Sequence, residues 1–441
     1  MALTFKGGLH IPDRKLTSKL AVKDLPGTPL HYFPINQHKG APLSPTVKVG
    51  DYVKVGQKLA DTEEFVAAPV HSSVSGTVKE ISPHVNAIGI KTDTIVIEND
   101  EKYEIFEGIK PVEDIDSLTT REMLWIIRDA GLIGLGGAGF PTHVKLNPPK
   151  QIEFLIINGA ECEPYITSDH RRMLENPSEI IEGAKILMKL LNVKKAHIGV
   201  EANKRDAIDM LRQTARFDDS IIIDTLKTKY PQGAEKQLIK AITGRNVPTG
   251  KIPADVGAVV VNTDTVFNIW RAFKKGMPVI DRIITVSGDA VNNPGNFRVP
   301  LGVSVSYMIE QAGGFKEQPQ KIIIGGPMMG FAQYTTDVPV AKTTSAIVAL
   351  LEAPVTYDED MPCIRCGKCV HNCPMSLMPN HLNQAALDRD VETAMRYNIL
   401  DCIECGLCSY TCPARKNMLQ NISAFKPEVM KFIRKGNKNG K

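Results

Sequence analysis

Two stretches of the chain follow one pattern: Cys363-Ile-Arg-Cys366-Gly-Lys-Cys369-Val-His-Asn-Cys373-Pro374 and Cys402-Ile-Glu-Cys405-Gly-Leu-Cys408-Ser-Tyr-Thr-Cys412-Pro413. In each, three cysteines are separated by two residues, and a fourth, followed by proline, comes after three more. This spacing suits a [4Fe–4S] cubane, with the fourth cysteine of each run closing the other cluster. Three thiolates two residues apart wrap one face of a cubane. Gly367 and Gly406 let the backbone pass close to the inorganic sulfide. One cluster is therefore expected on Cys363, Cys366, Cys369 and Cys412, and the second on Cys402, Cys405, Cys408 and Cys373. Structural zinc sites use paired cysteines rather than triplets with a distal Cys-Pro. Crossed ligation also predicts a helix over Asn380–Tyr397 packed across both clusters.

These runs hold eight of the nine cysteines, leaving Cys162 alone in mid-chain, where a small buried thiol is expected. Such clustering, with no apolar leader in MALTFKGGLHIPDRK, points to metal rather than to a secreted disulfide framework. The 441 residues leave room for about three domains of ordinary size. A composition of 43% hydrophobic and 23% charged residues excludes wholesale disorder. A net charge of +4 lacks the concentrated positive face of a nucleic-acid binder, so no nucleic-acid partner is expected. The apolar run Ser345–Leu351 falls far short of the ~20 residues of a spanning helix. The chain is expected to be soluble, or attached to a membrane only through partners.

Residues 1–115 read as β-rich, with short apolar strands punctuated by Gly-Asp, Gly-Gln and Ser-Gly turns. They look like the barrel-sandwich hybrid fold of biotinyl and lipoyl carriers. The segment Thr62–Pro69, where a carrier would present its lysine, has none, so a structural or docking role is expected. Residues 116–275 alternate buried strand-like runs (FLIING, AHIGVE, SIIID, AVVVN) with helical stripes such as PSEIIEGAKILMKLLNV. This argues for an α/β domain with a covered sheet. Residues 276–353 form a smaller α+β piece, with RIITVSG and KIIIGG as strands around SYMIEQAGGF. Residues 354–425 are the cysteine-rich helical domain, and 426–441 a solvated basic tail.

Within the α/β domain, Gly134-Leu-Gly136-Gly137-Ala138-Gly139-Phe140-Pro141-Thr142 is a glycine-rich loop through which backbone N–H groups can approach a phosphate. Lys145 follows it. The strand at Phe154 ends in Asn158-Gly159-Ala160-Glu161-Cys162-Glu163-Pro164, a polar turn at a strand's carboxyl end, where open α/β sheets collect ligands. Tyr230-Pro-Gln-Gly233-Ala-Glu235 and Val261-Asn262-Thr263-Asp264-Thr265 come after it in order.

Together these motifs resemble the FMN- and NADH-binding subunit of respiratory complex I. With the opening Phe5-Lys-Gly-Gly8-Leu-His10-Ile-Pro12 and the two cysteine runs, nearly the whole chain is similar to the RnfC family of the Rnf electron-transport complex. The resemblance implies a barrel-sandwich hybrid domain, an FMN-binding α/β domain, an SLBB-like β-grasp domain and a ferredoxin-like 2[4Fe–4S] domain. It also implies flavin contacts at Gly134, Gly136, Gly137, Ala138, Gly139, Lys145, Asn158, Glu161, Asn262 and Thr265. Glu163 and Glu235 match acidic positions near the nicotinamide nucleotide, and Phe140 an aromatic that stacks on it. Three positions depart from the complex I pattern: Leu135 stands for an arginine, Ala160 for an acid and Ala234 for a glutamate.

A nicotinamide gives up two electrons as hydride and a cubane accepts one, so a flavin between them is the converter. The implied path runs from NADH to FMN, then singly through both clusters to a partner. No catalytic acid, base or nucleophile is required of the protein. The resemblance further implies membrane-embedded Rnf subunits and a multi-cluster ferredoxin-like subunit as partners, with ferredoxin reached indirectly. It places the chain peripherally on the cytoplasmic face of the bacterial cell membrane, in an NADH:ferredoxin oxidoreductase that moves Na⁺ or H⁺. A soluble cobalamin reductase and a non-catalytic electron-transfer scaffold are the alternatives.

Overall fold

The computed structural model describes residues 2–352 and 361–439, with side chains to residue 435. Near the N-terminus, strands Leu30–Pro34, Lys91–Asn99, Gly76–Val85 and Tyr52–Val53 form one antiparallel sheet. Ser44–Pro45, Lys58–Asp61 and Val70–His71 form a second. Phe33, Val53, Leu59, Val70, Val78, Ile95 and Ile97 fill the space between them. Gly76 is required here: at φ 154° an added Cβ would lie 2.0 Å from the Glu98 carbonyl oxygen. The lysine-free tip is a docking surface. Arg128 reaches Asp61 at 3.0 Å and also the Thr62 carbonyl. His143 Nε2 bonds the Phe65 carbonyl at 2.7 Å.

The α/β domain is a parallel sheet in the order Ile221–Leu226, Ala196–Glu201, Phe154–Gly159, Ala258–Asn262. Because successive strand side chains point to opposite faces, Leu155 and Ile157 join Ile180, Leu187, Val266 and Ile269 on one side. Ile156 joins Leu238 and Ile239 on the other. Helix Pro177–Leu191 begins with its proline and stops at Asn192, which adopts φ 51°. The strand read as SIIID lies at Ile221–Leu226.

The next sheet has six strands, in the order Val22–Asp24, Gly295–Pro300, Asp281–Ser287, Ala346–Leu350, Lys321–Ile324, Phe331–Gln333. Its edge strand comes from residues assigned by sequence to the first domain. Val22–Asp24 pairs in parallel with Asn296–Arg298. Leu3 bridges Leu226, and Leu9 bridges Tyr230. The N-terminal segment thus runs along two later domains before the barrel-sandwich begins. The apolar run at 345–351 contains the fully buried strand Ala346–Leu350. The boundary expected at 353/354 lies outside the described residues.

In the cysteine-rich domain the two runs fold alike. Gly367 (φ 74°) precedes helix Lys368–His371, and Gly406 (φ 77°) precedes Leu407–Tyr410. Arg365 and Glu404 share a left-handed conformation, as do Ser376 and Arg415. The single helix expected over Asn380–Tyr397 is two helices, Pro379–Leu387 and Val391–Arg396. The break is local chemistry: Arg389 turns left-handed (φ 54°), and the Asp390 side chain caps the second helix by accepting from Thr393 N–H at 3.0 Å. The expected tail from 426 is also corrected. Helix Met418–Asn439 runs through that point, burying Ile422, Phe425 and Val429 against Leu382, Ala385 and Ala394.

That helix is the lid of the cluster domain's small core. Phe425→Ala is expected to cost about 3–5 kcal/mol, read as a lower unfolding midpoint together with loss of visible iron–sulfur absorbance.

Candidate functional site

The glycine loop closes on itself, Gly134 N–H to Phe140 carbonyl at 2.9 Å and Gly139 N–H to Gly134 carbonyl at 3.1 Å. Three domains hold it. Leu135 N–H donates to Thr265 Oγ1 at 3.0 Å, Arg282 donates to the Leu135 carbonyl at 2.9 Å, and Lys39 N–H donates to the Gly139 carbonyl at 2.8 Å. Leu135 is buried, while Gly136, Gly137 and Ala138 stay exposed. A Cβ at Gly136 would press on Asn262 at 3.2 Å, but one at Gly137 would meet nothing within 4 Å. The loop therefore presents bare backbone to open space, the cradle a phosphate needs, and these residues fit a flavin nucleotide.

The other sequence-predicted residues converge around it, most with side chains already engaged. Asn262 caps helix Thr263–Lys275 by accepting from Asp264 and Thr265 N–H, and donates to Asp169 at 2.7 Å. Asn158 donates to the Gly233 carbonyl at 2.8 Å, joining the Asn158–Pro164 turn to the Tyr230–Glu235 stretch. Glu161 accepts from Asp169 N–H at 2.7 Å at the start of helix Ser168–Glu175, so its carboxylate serves that helix rather than standing free. Glu235 pairs with Lys145 at 2.5 Å. Phe140 is exposed beside the loop. Glu163 accepts from Met328 N–H at 3.1 Å, and its Oε1 is buried with no partner among the described residues. Burial pushes the Glu163 carboxyl up to about 7.

Several residues that sequence reading missed brace this arrangement. Lys15 Nζ donates to the carbonyls of Glu161, Glu163 and Ile166 at 2.9, 2.8 and 2.5 Å. Lys204 Nζ donates to the Ala160 carbonyl at 2.6 Å. Asp264 pairs with Arg172 at 2.8 Å and Arg282 at 3.1 Å. Burial works to raise its carboxyl, but the two guanidiniums prevail and hold it below the usual range. Asp169 goes the other way: burial first, then the charges of Glu161 and Asp264, push it up to about 7. The bracing contacts carry little local sequence signal, because Lys15 reaches Glu161, Lys204 reaches Ala160 and Asp264 reaches Arg172 from far along the chain.

The cysteines form two settings. Cys373 of the first run lines one cavity with Cys402, Cys405 and Cys408 of the second, among Pro374, Leu377, Leu382, Leu419 and Ile422. Four thiols in an apolar cup fit a cubane. Burial pushes the Cys405 and Cys408 thiols up to about 12, so bound iron is what would hold them as thiolates. Backbone N–H groups approach the distal sulfurs in matching fashion, Leu377 to Cys373 at 3.4 Å and Lys416 to Cys412 at 3.5 Å. Cys363 and Cys366 are exposed.

The two sites touch. Tyr230 donates its hydroxyl to the Cys405 carbonyl at 2.9 Å, and Gln237 donates to the Pro374 carbonyl at 3.2 Å. Ile11, Tyr230, Cys405 and Leu407 share one buried cluster.

This is the architecture of a flavin- and iron–sulfur-binding redox protein, and comparison with known families agrees. Residues 3–102 match the RnfC barrel sandwich hybrid domain, 127–271 the Nuo51 FMN-binding domain, 283–332 the SLBB domain and 355–413 the 4Fe-4S dicluster domain. The chain is 46% identical to the RnfC-type component of the proton-translocating ferredoxin:NAD(+) oxidoreductase complex of Clostridium ljungdahlii, covering 97% of this chain and 94% of that one. It is 43% identical to the counterpart in the Na(+)-translocating complex of Acetobacterium woodii, covering 98% and 99%. With the corresponding component of the ion-translocating oxidoreductase complex of Rhodobacter capsulatus it shares 38% identity over 90% of this chain and 78% of the relative. The chain belongs to the RnfC family of the Rnf complex.

Asp169 gives this site a pH signature. Its carboxyl is raised in the folded chain, so between its ordinary value near 3.8 and about 7 the native state holds a proton that the unfolded state has released. Stability therefore falls as pH rises through that window. Asp169→Asn, which keeps an acceptor for Asn262, should remove this slope, measured as the difference in melting temperature between variant and wild type from pH 5 to 8.

Proposed function

We propose that this chain is the NADH-oxidising, electron-transferring subunit of an ion-translocating NADH:ferredoxin oxidoreductase. Bound FMN would supply the conversion between a two-electron hydride donor and one-electron carriers, and the cubanes would supply those one-electron carriers. The chain's work is to bind and to position. Gly136, Gly137 and Ala138 offer backbone amides to the flavin phosphate, Gly134 and Gly139 close the loop that presents them, and Asn262 and Thr265 fix it from behind. Asn158 and Glu161 shape the turn beside it. Glu163, Glu235 and Phe140 bound the side from which a nicotinamide nucleotide would enter, and Lys145, paired with Glu235, stands on the flavin side.

The observation that carries this reading is the Tyr230–Cys405 hydrogen bond. It joins a flavin-domain stretch directly to the loop of the buried cysteine set, so the two kinds of carrier share one body. The cluster on Cys402, Cys405, Cys408 and Cys373 is then the one beside the flavin. The cluster on Cys363, Cys366, Cys369 and Cys412, with two exposed ligands, is the one within reach of a partner. The chain works within a multi-subunit assembly. Among the described residues no helix is long and apolar enough to cross a membrane, which is consistent with peripheral attachment through membrane-embedded subunits on the cytoplasmic face. A multi-cluster ferredoxin-like subunit would pass electrons onward to ferredoxin. The barrel-sandwich domain ahead of the glycine loop favours this over a soluble cobalamin reductase.

Anaerobically purified chain should contain about eight irons, as much acid-labile sulfide and one FMN. Mixing with NADH in a stopped-flow spectrometer should bleach the flavin before the clusters, whereas inert spectra would leave a non-catalytic scaffold. Cys373→Ala separates crossed from uncrossed ligation. It should abolish the cluster held by the second run's triplet and spare the first run's, as read by electron paramagnetic resonance of the reduced protein.

A further inference from the structure

The glycine loop supplies amides but no charge of its own, since Leu135 is apolar and fully buried. A cation nearby would strengthen the hold on a phosphate dianion, because charge-assisted hydrogen bonds are the stronger ones. Lys145, the obvious candidate in the sequence, is already engaged by the Glu235 carboxylate at 2.5 Å. Lys39, from another domain, is bonded to the loop through its backbone.

Lys39 belongs to the barrel-sandwich domain, in a turn that is firmly held. Ala41 N–H donates to the Val66 carbonyl at 2.9 Å, and Gln37 accepts from Lys342 N–H at 2.9 Å. Gly40, in this turn, packs so closely that an added Cβ would lie 2.0 Å from the Val66 carbonyl oxygen. The Lys39 amide is bonded to the Gly139 carbonyl at 2.8 Å, fixing the residue's backbone against the last glycine of the loop. Its side chain is exposed. No carboxylate among the described residues lies within ion-pair distance of it. An exposed cation tethered to the loop by its own backbone, with no ion-pair partner among the described residues, has the chemistry of a phosphate ligand.

We propose that Lys39 binds a phosphate oxygen of the nucleotide that the glycine loop receives. The proposal rests on the flavin–nicotinamide reading above. The phosphate is either that of the flavin or one of the nicotinamide dinucleotide's pyrophosphate, and both present the same group to an ammonium. Lys39 acts through its charge on a bound group, so its contribution is to affinity and it takes no part in electron transfer itself.

The test uses the full chain with its clusters in place. Flavin-stripped protein is titrated with FMN and with riboflavin, and flavin-loaded protein with NADH and with reduced nicotinamide riboside. Lys39→Gln is expected to weaken binding of the phosphate-bearing member of one pair about tenfold, as for loss of one charged hydrogen bond. It should leave the phosphate-free member unchanged, and Lys39→Arg should restore most of the loss. A deficit in FMN assigns the flavin phosphate, and a deficit confined to NADH assigns the pyrophosphate. FMN and NADH affinities both equal to wild type overturn the proposal, as does an equal loss for the phosphate-free ligands. Wild-type chain that takes up neither FMN nor NADH sinks the underlying reading and this proposal with it. Normal wild-type uptake with an unaffected Lys39→Gln variant sinks this proposal alone.

Discussion

One hydroxyl, that of Tyr230, lies where three parts of the chain meet, and its bond to the Cys405 carbonyl fixes how they sit. Tyr230 is 1% exposed, so a missing acceptor would leave a buried donor unsatisfied at about 1–3 kcal/mol. The residue is clamped by its backbone as well. Its N–H donates to the Leu9 carbonyl at 2.8 Å, and its carbonyl accepts from Leu9 N–H at 2.9 Å. The same N-terminal arm continues to the cluster domain, where Gly8 N–H donates to the Asn372 carbonyl at 3.0 Å. Gly7 is a glycine because the approach demands one: at φ 78°, an added Cβ would lie 2.6 Å from the Cys373 carbonyl oxygen. The opening motif is therefore a strap across the seam between flavin and cluster domains. Electron transfer falls steeply with distance, so a seam held by hydrogen bonds and close backbone contact matters more than an area of apolar packing that slides.

The glycine loop is set by a second kind of constraint, buried charge. Arg172, Asp264 and Arg282 are each nearly inaccessible, and ions taken out of water persist only when paired and fully bonded. Arg282 meets that requirement by reaching across domains. It pairs with Asp264 and donates to the carbonyls of both Leu135 and Lys342. Lys342 in turn donates to the Pro69 and Gly131 carbonyls. Burial draws its ammonium down to about 7, so it is held there by carbonyl dipoles rather than by a carboxylate. Through these two residues the β-grasp sheet, the barrel-sandwich tip and the flavin loop share one network. A loop that must present bare amides has few side chains to anchor it, and the anchoring is delegated to other domains.

What the sequence made legible follows from the range over which each signal acts. The strands Phe154–Gly159, Ala196–Glu201 and Ala258–Asn262 are short, mostly apolar runs, as buried parallel strands tend to be, and their limits are readable. The cysteine triplets are local by nature, since the turn that wraps a cluster is built from neighbouring residues. Val22–Asp24 was not readable, because a three-residue edge strand with two exposed side chains has no pattern of its own. Helix Met418–Asn439 hid its apolar face among lysines, with Phe425, Val429 and Ile433 spaced as one stripe but separated by charge. Lys15 and Lys204 both carry the turn at Glu161, yet neither lies near it in sequence. A pattern is legible where the chemistry requires contiguous residues, and not where folding assembles contacts from afar.

Cys162 illustrates how a reactive residue type becomes inert by placement. It lies between the two carboxylates of the Asn158–Pro164 turn and close to the buried cysteine set, a position that invites a redox role. Burial, reinforced by the nearby Glu201 charge, pushes its thiol up to about 12, and the reactive form of cysteine is the thiolate. Its sulfur accepts instead from Gly233 N–H at 3.4 Å, alongside the Asn158 amide that bonds the Gly233 carbonyl. The two side chains together hold both polar groups of one glycine peptide segment, fixing the Tyr230–Glu235 stretch beneath the flavin turn. The residue's role is that of a weak, polarisable acceptor in a dry seam, where a thiol costs less to bury than a hydroxyl.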